Sequence, residues 1–372
     1  MKNLKILSIL IFFIFSQSHG EQAGETKERT PVKALYMPLA DHYAGILAHH
    51  WYADDLVEAD YRLERMQSWD LLRAAFRDGH ADMAFIICPE AMAMFTKKPD
   101  FRWVGLLHRD GNQMIVNRDL AEKMKLEPKL KDRKPDSQLA DLMRESLISD
   151  TNPIYCGIPA LRATHTVVVY KYLKDHELEM SLEHGCGNSI TAELIRPTQS
   201  LSFIRKRNNR SEEACMQQSL PWGSIVETRG DGQIAWYSKD VLKWPNGHVE
   251  CIIIASDKAL EEKRAAIMDV LKAIQKAGAH IEEIRRQDEE SIQKLAAVIR
   301  SYVPEHTDAG VSAALDPESG GIRYDSLELD DNAIGSLSQI MNLAVEGGIL
   351  ERPINLRSFV DEVSYKKAQA DE

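Results

Sequence analysis

After the LSILIFFIF run near its start, the chain has no second segment apolar enough to span a bilayer, which excludes a polytopic membrane protein. It lacks C-x-x-C and H-E-x-x-H spacings, so the familiar zinc and zincin patterns are missing. No G-x-S-x-G turn is present to expose a nucleophile, and no catalysis is expected. A basic stripe is missing as well. The formal charge is −11, and an acidic chain of this kind is a poor nucleic-acid binder. No internal repeat is seen. A local anion site remains open, because net charge does not set the field inside a cleft.

What is present begins with the N-terminus. Lys2 and Lys5 precede the apolar run, and Ser16-Gln17-Ser18-His19-Gly20 follow it. This is the pattern of a secretory signal peptide over residues 1–20. No Cys follows the run, so a lipobox attachment is not expected, and the mature chain is expected to be periplasmic. Export permits disulfides. Cys88, Cys156 and Cys251 lie in apolar, strand-like runs and read as buried thiols. Cys186 and Cys215 lie in more polar surroundings, and their pairing is left open.

With 372 residues, two domains are the default. Strands are expected at Val32–Met37, Tyr61–Met66, Ala84–Cys88, Arg102–Leu107 and Gln113–Val116, alternating with helices at Ala44–Asp54 and Trp69–Asp78. That rhythm means an α/β fold with a mainly parallel sheet. Ligands in such sheets gather at the carboxyl ends of the strands. Residues 119–153 are highly charged and read as an exposed insertion, a solvated face and not a site. Amphipathic helices are expected at Asp257–Lys276, His280–Gln287, Glu289–Ser301 and Ala333–Gly347. The stretch IYCGIPALRATHTVVVYKYLKD, from Ile154, suits a strand and then a run open to two readings: Val167–Val169 favour strand, while the stripe through Val167, Tyr170 and Lys171 fits a helix capped by Thr164, with His165 in its first turn. A helix start of that kind can hold a small anion.

Four pieces, in order, resemble one family. They are MPLADHYAGILAHH (Met37–His50), SWDLLRAAFRDGHADMAFIICPEAMAM (Ser68–Met94), Gly157–Lys174 with Arg162-Ala163-Thr164-His165, and LPWGSIVETRGDGQIAWYSKDVLKWPNGH (Leu220–His248). Together they resemble the periplasmic substrate-binding proteins of ABC importers, in the branch that takes nitrate, bicarbonate, sulfonates and thiamine-precursor pyrimidines. The resemblance covers roughly Val32 to Lys276.

It implies a two-lobed periplasmic-binding-protein (type II) clamshell hinged by two crossing segments, near Asn112–Val116 and Gly247–Cys251. Residues 31–112 would form the first part of lobe 1. Residues 113–249 would form lobe 2, and 250–372 the rest of lobe 1 with the C-terminal helices. It implies a monomer that captures a small oxyanion or related small polar solute between the lobes and passes it to an ABC permease in the inner membrane. The alternative is a sensory or accessory binding protein that uses the same clamshell to signal to a membrane partner.

The ligand-binding residues it implies are Asp41, His42, Ser68, Trp69, Gln113, Thr164, His165, Trp222 and Gly223. No cofactor is expected. A metal site built on His42, His49 and His50 is not expected either, because His49 and His50 point in different directions from one helix. The chain departs from the family pattern at Leu220, where an acid usually precedes Pro-Trp, and at Pro245, where a Lys can follow the Trp. Lys243 or Arg162 would have to replace that cation.

Overall fold

The computed structural model describes residues 28–149, 153–182 and 189–365. The expected signal segment and Cys186 lie outside these residues. Two large sheets hold most of the strands, and the short strands Arg109–Asp110 and Ile322–Arg323 pair separately. In the first, the order is Ala59–Arg65, Thr30–Tyr36, Met83–Ile87, Cys251–Ser256, Phe101–Leu106. The three strands from the N-terminal part run parallel, and Cys251–Ser256 runs antiparallel to both of its neighbours. In the second, the order is Gly232–Tyr237, Asn112–Asn117, Ala214–Ser219, Tyr155–Ile158, Ile190–Leu194, Met180–Ser181. Here Asn112–Asn117 is the strand antiparallel to both neighbours. Each crossing of the chain therefore delivers one reversed strand into the sheet it enters. The result is two α/β lobes joined by two crossing segments.

The inner strands of the first sheet are covered on both faces, whereas the outer strand Ala59–Arg65 is not. Met83 to Ile87 is wholly buried, as expected for a sheet covered by helices on each side. The crossings, residues 107–111 and 247–250, are tied to each other. Asp110 N–H donates to His248 O at 2.8 Å, and His248 N–H donates to Asp110 Oδ1 at 2.9 Å. Asp110 and Gly111 have φ of 61° and 100°, and Asn246 and Gly247 have φ of 64° and 87°. A Cβ on Gly111 would also meet the His108 ring at 2.7 Å, so glycine is required there on two counts.

Several expectations are corrected. Residues 119–153 are not a purely solvated insertion. Their Gln138–Ser149 helix buries Leu139, Ala140 and Met143 in the core, an apolar face hidden among the charges. Cys215 is not in polar surroundings: it is wholly buried in a central strand, in register with Cys156. The first C-terminal helix breaks at Lys263, giving Asp257–Glu262 and then a continuous Arg264–Arg285. The Asp331–Glu346 helix packs on Cys88–Lys97 of one lobe and Thr164–Asp175 of the other. Among the described residues, no helix is long and apolar enough to cross a membrane.

Candidate functional site

The loops that leave the strands of the two sheets meet across the junction of the lobes. From the first lobe come residues 37–42, 66–69 and 87–90. From the second come Asn112–Gln113, residues 159–165, and residues 219–223. The helices beginning at Tyr43, Cys88, Thr164 and Trp222 have no side-chain cap, whereas Ser68 caps the one beginning at Trp69. Away from the junction, the helices at Arg118, Asp257, Glu289, Asp308 and Asp331 are capped by Asn117, Ser256, Asp288, Thr307 and Asp330, and those at Ser200 and Arg264 are not. An uncapped start leaves backbone N–H groups and the positive end of the helix dipole facing the junction. Ala163, not Thr164, holds the N-cap position of its helix, because Thr164 already has helical backbone.

Most of the anticipated residues do converge. Asp41, His42, Gln113, Thr164 and His165 are wholly buried, and Trp69, Trp222 and Gly223 nearly so. The first bridge between lobes runs through Ser219, a residue the sequence reading missed. Its hydroxyl donates to Asp41 Oδ2 at 2.8 Å and meets His165 Nε2 at 2.9 Å. Ala40 N–H donates to Leu220 O at 2.8 Å, and Trp222 Nε1–H to Pro38 O at 3.2 Å. Trp222 thus uses its polar atom as a latch between lobes. Gly223 allows a close approach, but to Gln113: a Cβ there would stand 2.4 Å from Gln113 Oε1. Gln113 Nε2 donates to Ser224 Oγ at 3.1 Å. Ser68 is the N-cap of the Trp69–Arg77 helix, accepting from Leu71 N–H at 3.3 Å.

Further members were also missed: His108, Asn112, Glu250 and Cys251, all wholly buried. They lie in or beside the two crossing segments, in HRDGN and HVEC. That position was the available signal. His165 Nδ1 lies 3.5 Å from Glu250 Oε1. Cys251 Sγ lies 3.6 Å and His108 Nε2 3.8 Å from Asp41 Oδ2. Cys88 Sγ lies 3.5 Å from Thr164 Oγ1.

Burial governs the electrostatics. It pushes the Asp41 carboxyl up, against hydrogen bonds from Ser219 and Cys251 that pull it down. Glu250 is raised by burial first and by the nearby Asp41 charge second. The same loss of water lowers His42 and His165 to about 3, so both rings are neutral. Met37 N–H donates to His42 Nδ1 at 2.7 Å. The proton of the neutral ring is therefore on Nε2, a buried donor with no partner. Trp69 Nε1, His165 Nδ1, the Asn112 amide, Gln113 Oε1 and both Glu250 oxygens also lack hydrogen bonds of ordinary geometry. The His42 and Trp69 rings meet edge to face, 6.0 Å apart.

Outward from this cluster, the lobes frame a groove of about 580 Å³ lined by Ser68, Trp69, Arg73, Glu90, Arg162 and Arg196 among others. Arg73 is committed to Glu90 and Asp70. Among the described residues Arg162 has no hydrogen-bond or ion-pair partner and is half-buried, whereas Lys243 is exposed.

Two lobes, two tied crossings and a polar junction define a two-lobed clamshell fold. Residues 25–300 match the profile of the NMT1-like family, and the chain belongs to that family. No curated protein matches it in sequence. Among solved structures, it is similar to the periplasmic nitrate-binding protein NrtA from Synechocystis PCC 6803, at 15% identity and TM-score 0.69, over 92% of this chain and 89% of that one. It is similar to a ligand-binding component of an ABC-type import system from Staphylococcus aureus, solved with zinc bound, at 15% identity and TM-score 0.67, over 91% and 99%. The alkanesulfonate-binding protein SsuA from Xanthomonas axonopodis pv. citri, bound to MOPS, matches at 12% identity and TM-score 0.63, over 90% and 99%. The fold is that of the periplasmic binding proteins.

Proposed function

We propose that this protein is the extracytoplasmic solute-binding component of an ABC importer, holding a small polar solute between its lobes for a membrane permease. The family and the fold support the class. The observation that carries the ligand reading is the set of buried polar atoms without partners at the junction. A buried, unpaired polar group costs about 1–3 kcal/mol, and a bound solute would relieve several at once. His42 Nε2–H and Trp69 Nε1–H offer donors. Asp41, Glu250 and Gln113 Oε1 offer acceptors. Side chains from both lobes contribute, so binding would favour the closed form.

The charge pattern bears on the kind of solute. Two carboxyls sit in the cluster, and among the described residues no lysine or arginine is bonded to them. Arg109, a buried guanidinium in the first crossing, is bonded to Ser326 O, Gly247 O and Asn332. A simple, fully charged oxyanion buried beside Asp41 and Glu250 would lack a compensating cation. We therefore favour the related small polar solute over nitrate or a sulfonate: a neutral or zwitterionic molecule carrying both donors and acceptors. The basic side chains at the groove mouth, Arg162 and Arg196, would meet any anionic end of it.

A thermal-shift panel tests this. Nitrate, bicarbonate, sulfate and alkyl sulfonates are set against neutral and zwitterionic heterocycles and amino-acid-like solutes, on chelator-treated protein. A solute at about 100 times its Kd adds roughly 2.7 kcal/mol of stability. A shift from a neutral or zwitterionic solute, lost in His42→Ala, supports the reading. A shift from nitrate or sulfate alone would overturn the preference for such a solute, and no shift from any compound would overturn the binding role.

A further inference from the structure

We infer that Asp41, His108 and Cys251 form a site for a borderline-soft divalent cation of the zinc class at the floor of the cleft. One oxygen, one nitrogen and one sulfur converge here, and all three ligand atoms lie within 4.8 Å of one another. A tetrahedral zinc ion, with Zn–S of about 2.3 Å and Zn–N or Zn–O of about 2.0–2.1 Å, places its donors roughly 3.3–3.6 Å apart. Asp41 Oδ2 to Cys251 Sγ is 3.6 Å, and Asp41 Oδ2 to His108 Nε2 is 3.8 Å. These two distances are within a few tenths of an ångström of that spacing, and the third, Cys251 Sγ to His108 Nε2, is within 4.8 Å.

The histidine is set for this role. Cys251 N–H points to His108 Nε2 at 3.3 Å, so Nε2 carries the lone pair and Nδ1 the proton. A contact so long is readily yielded to a metal. The site also holds a spare acceptor. Asp41 Oδ1 is buried without a hydrogen-bond partner among the described residues, as suits a carboxylate turned towards a cation. The donor set selects the ion. Sulfur with imidazole and one carboxylate suits zinc and its neighbours, whereas calcium and magnesium require oxygen shells. Coordination replaces the Cys251 thiol proton, which leaves to solvent.

The three ligands come from three separate places. Asp41 is on the loop after the first strand, His108 is in the first crossing, and Cys251 follows the second. Asp41 is also the residue that Ser219 of the other lobe holds. A bound ion would therefore clip both crossings to the residue that latches the lobes together, whether it arrives as cargo or stays as a resident.

The full chain, stripped with a chelator, is titrated with Co²⁺ and then Zn²⁺. One ion per chain is expected, with a thiolate-to-cobalt charge-transfer band in the near ultraviolet. Cys251→Ser should abolish the band and weaken zinc binding at least tenfold. Cys88→Ser and the double change His49→Gln/His50→Gln should leave both intact. No band from the unmutated chain would overturn the inference, whatever the variants do. So would binding that survives Cys251→Ser and His108→Gln but fails in the His49/His50 variant, which marks an adventitious surface ion. The solute panel on chelated protein reads separately. A chain that answers to a solute and not to metal removes this site alone, and the reverse removes only the solute reading.

Discussion

Replacing Ser219 with Ala removes one oxygen atom and tests what holds the lobes together. That oxygen donates to Asp41 Oδ2 across the lobe junction at 2.8 Å and meets His165 Nε2 within its own lobe at 2.9 Å. All three side chains are wholly buried, so water cannot replace it at either partner. A hydrogen bond to a neutral group contributes about 0.5–1.5 kcal/mol and one to a charged group about 1.5–3. The two losses together come to roughly 2–4 kcal/mol. They fall unevenly. The His165 share weakens the second lobe itself. The Asp41 share weakens closure alone, because neither lobe needs the other's partner to fold. At about 1.5–3 kcal/mol, that share shifts the ratio of closed to open forms by roughly 10- to 100-fold. Spin labels on the two lobes, read by pulsed dipolar spectroscopy, would report a broader and longer distance distribution in Ser219→Ala. Urea unfolding would show a loss of stability of about 1 kcal/mol, read as a lower midpoint. An unchanged distance distribution together with an unchanged midpoint would refute the latch.

Trp69→Phe keeps the ring against His42 and removes an N–H that has no partner. Stability should stay within about 1 kcal/mol while affinity for the captured solute falls about tenfold, measured by calorimetry; equal affinity would take Trp69 out of the site. Gly45→Ala places a Cβ 2.3 Å from Phe85 Cε2, inside a wholly buried ring, so a loss of about 1–3 kcal/mol is expected from denaturant melts. His306 is bonded to the Tyr43 hydroxyl at 2.8 Å and Pro38 O at 3.1 Å, and its ring meets Trp222 edge to face. Burial lowers it to about 3 from its ordinary 6.5. Its contribution is full above pH 6.5 and is lost as the pH falls towards 3, because the unfolded chain takes the proton first. The slope is about 1.4 kcal/mol per pH unit, and His306→Asn should flatten the measured stability–pH curve by that amount; a parallel curve would refute it.

Local signals carried much of this protein. Strand and helix runs alternate in the order that builds two α/β sheets, since apolar runs and their periodicity are properties of neighbouring residues. The loops bearing Asp41, His42, Trp69, Gln113, Thr164 and His165 were legible as cleft loops because they follow or precede those runs. The helix over Gln138–Ser149 was obscured by its own charges, and its buried face became visible only once a partner surface was present. Tertiary structure alone decided which groups share the junction. Ser219 lies 178 residues from Asp41, and Cys251 lies 210, and no spacing rule spans such distances. The crossings bring them together by returning the chain to the first sheet beside the strand it left. Folding also decided their chemistry. The same Asp, Glu and His side chains would be ordinary solvated ions or rings on an open loop; closure removes the water and leaves neutral imidazoles facing unpaired carboxyls.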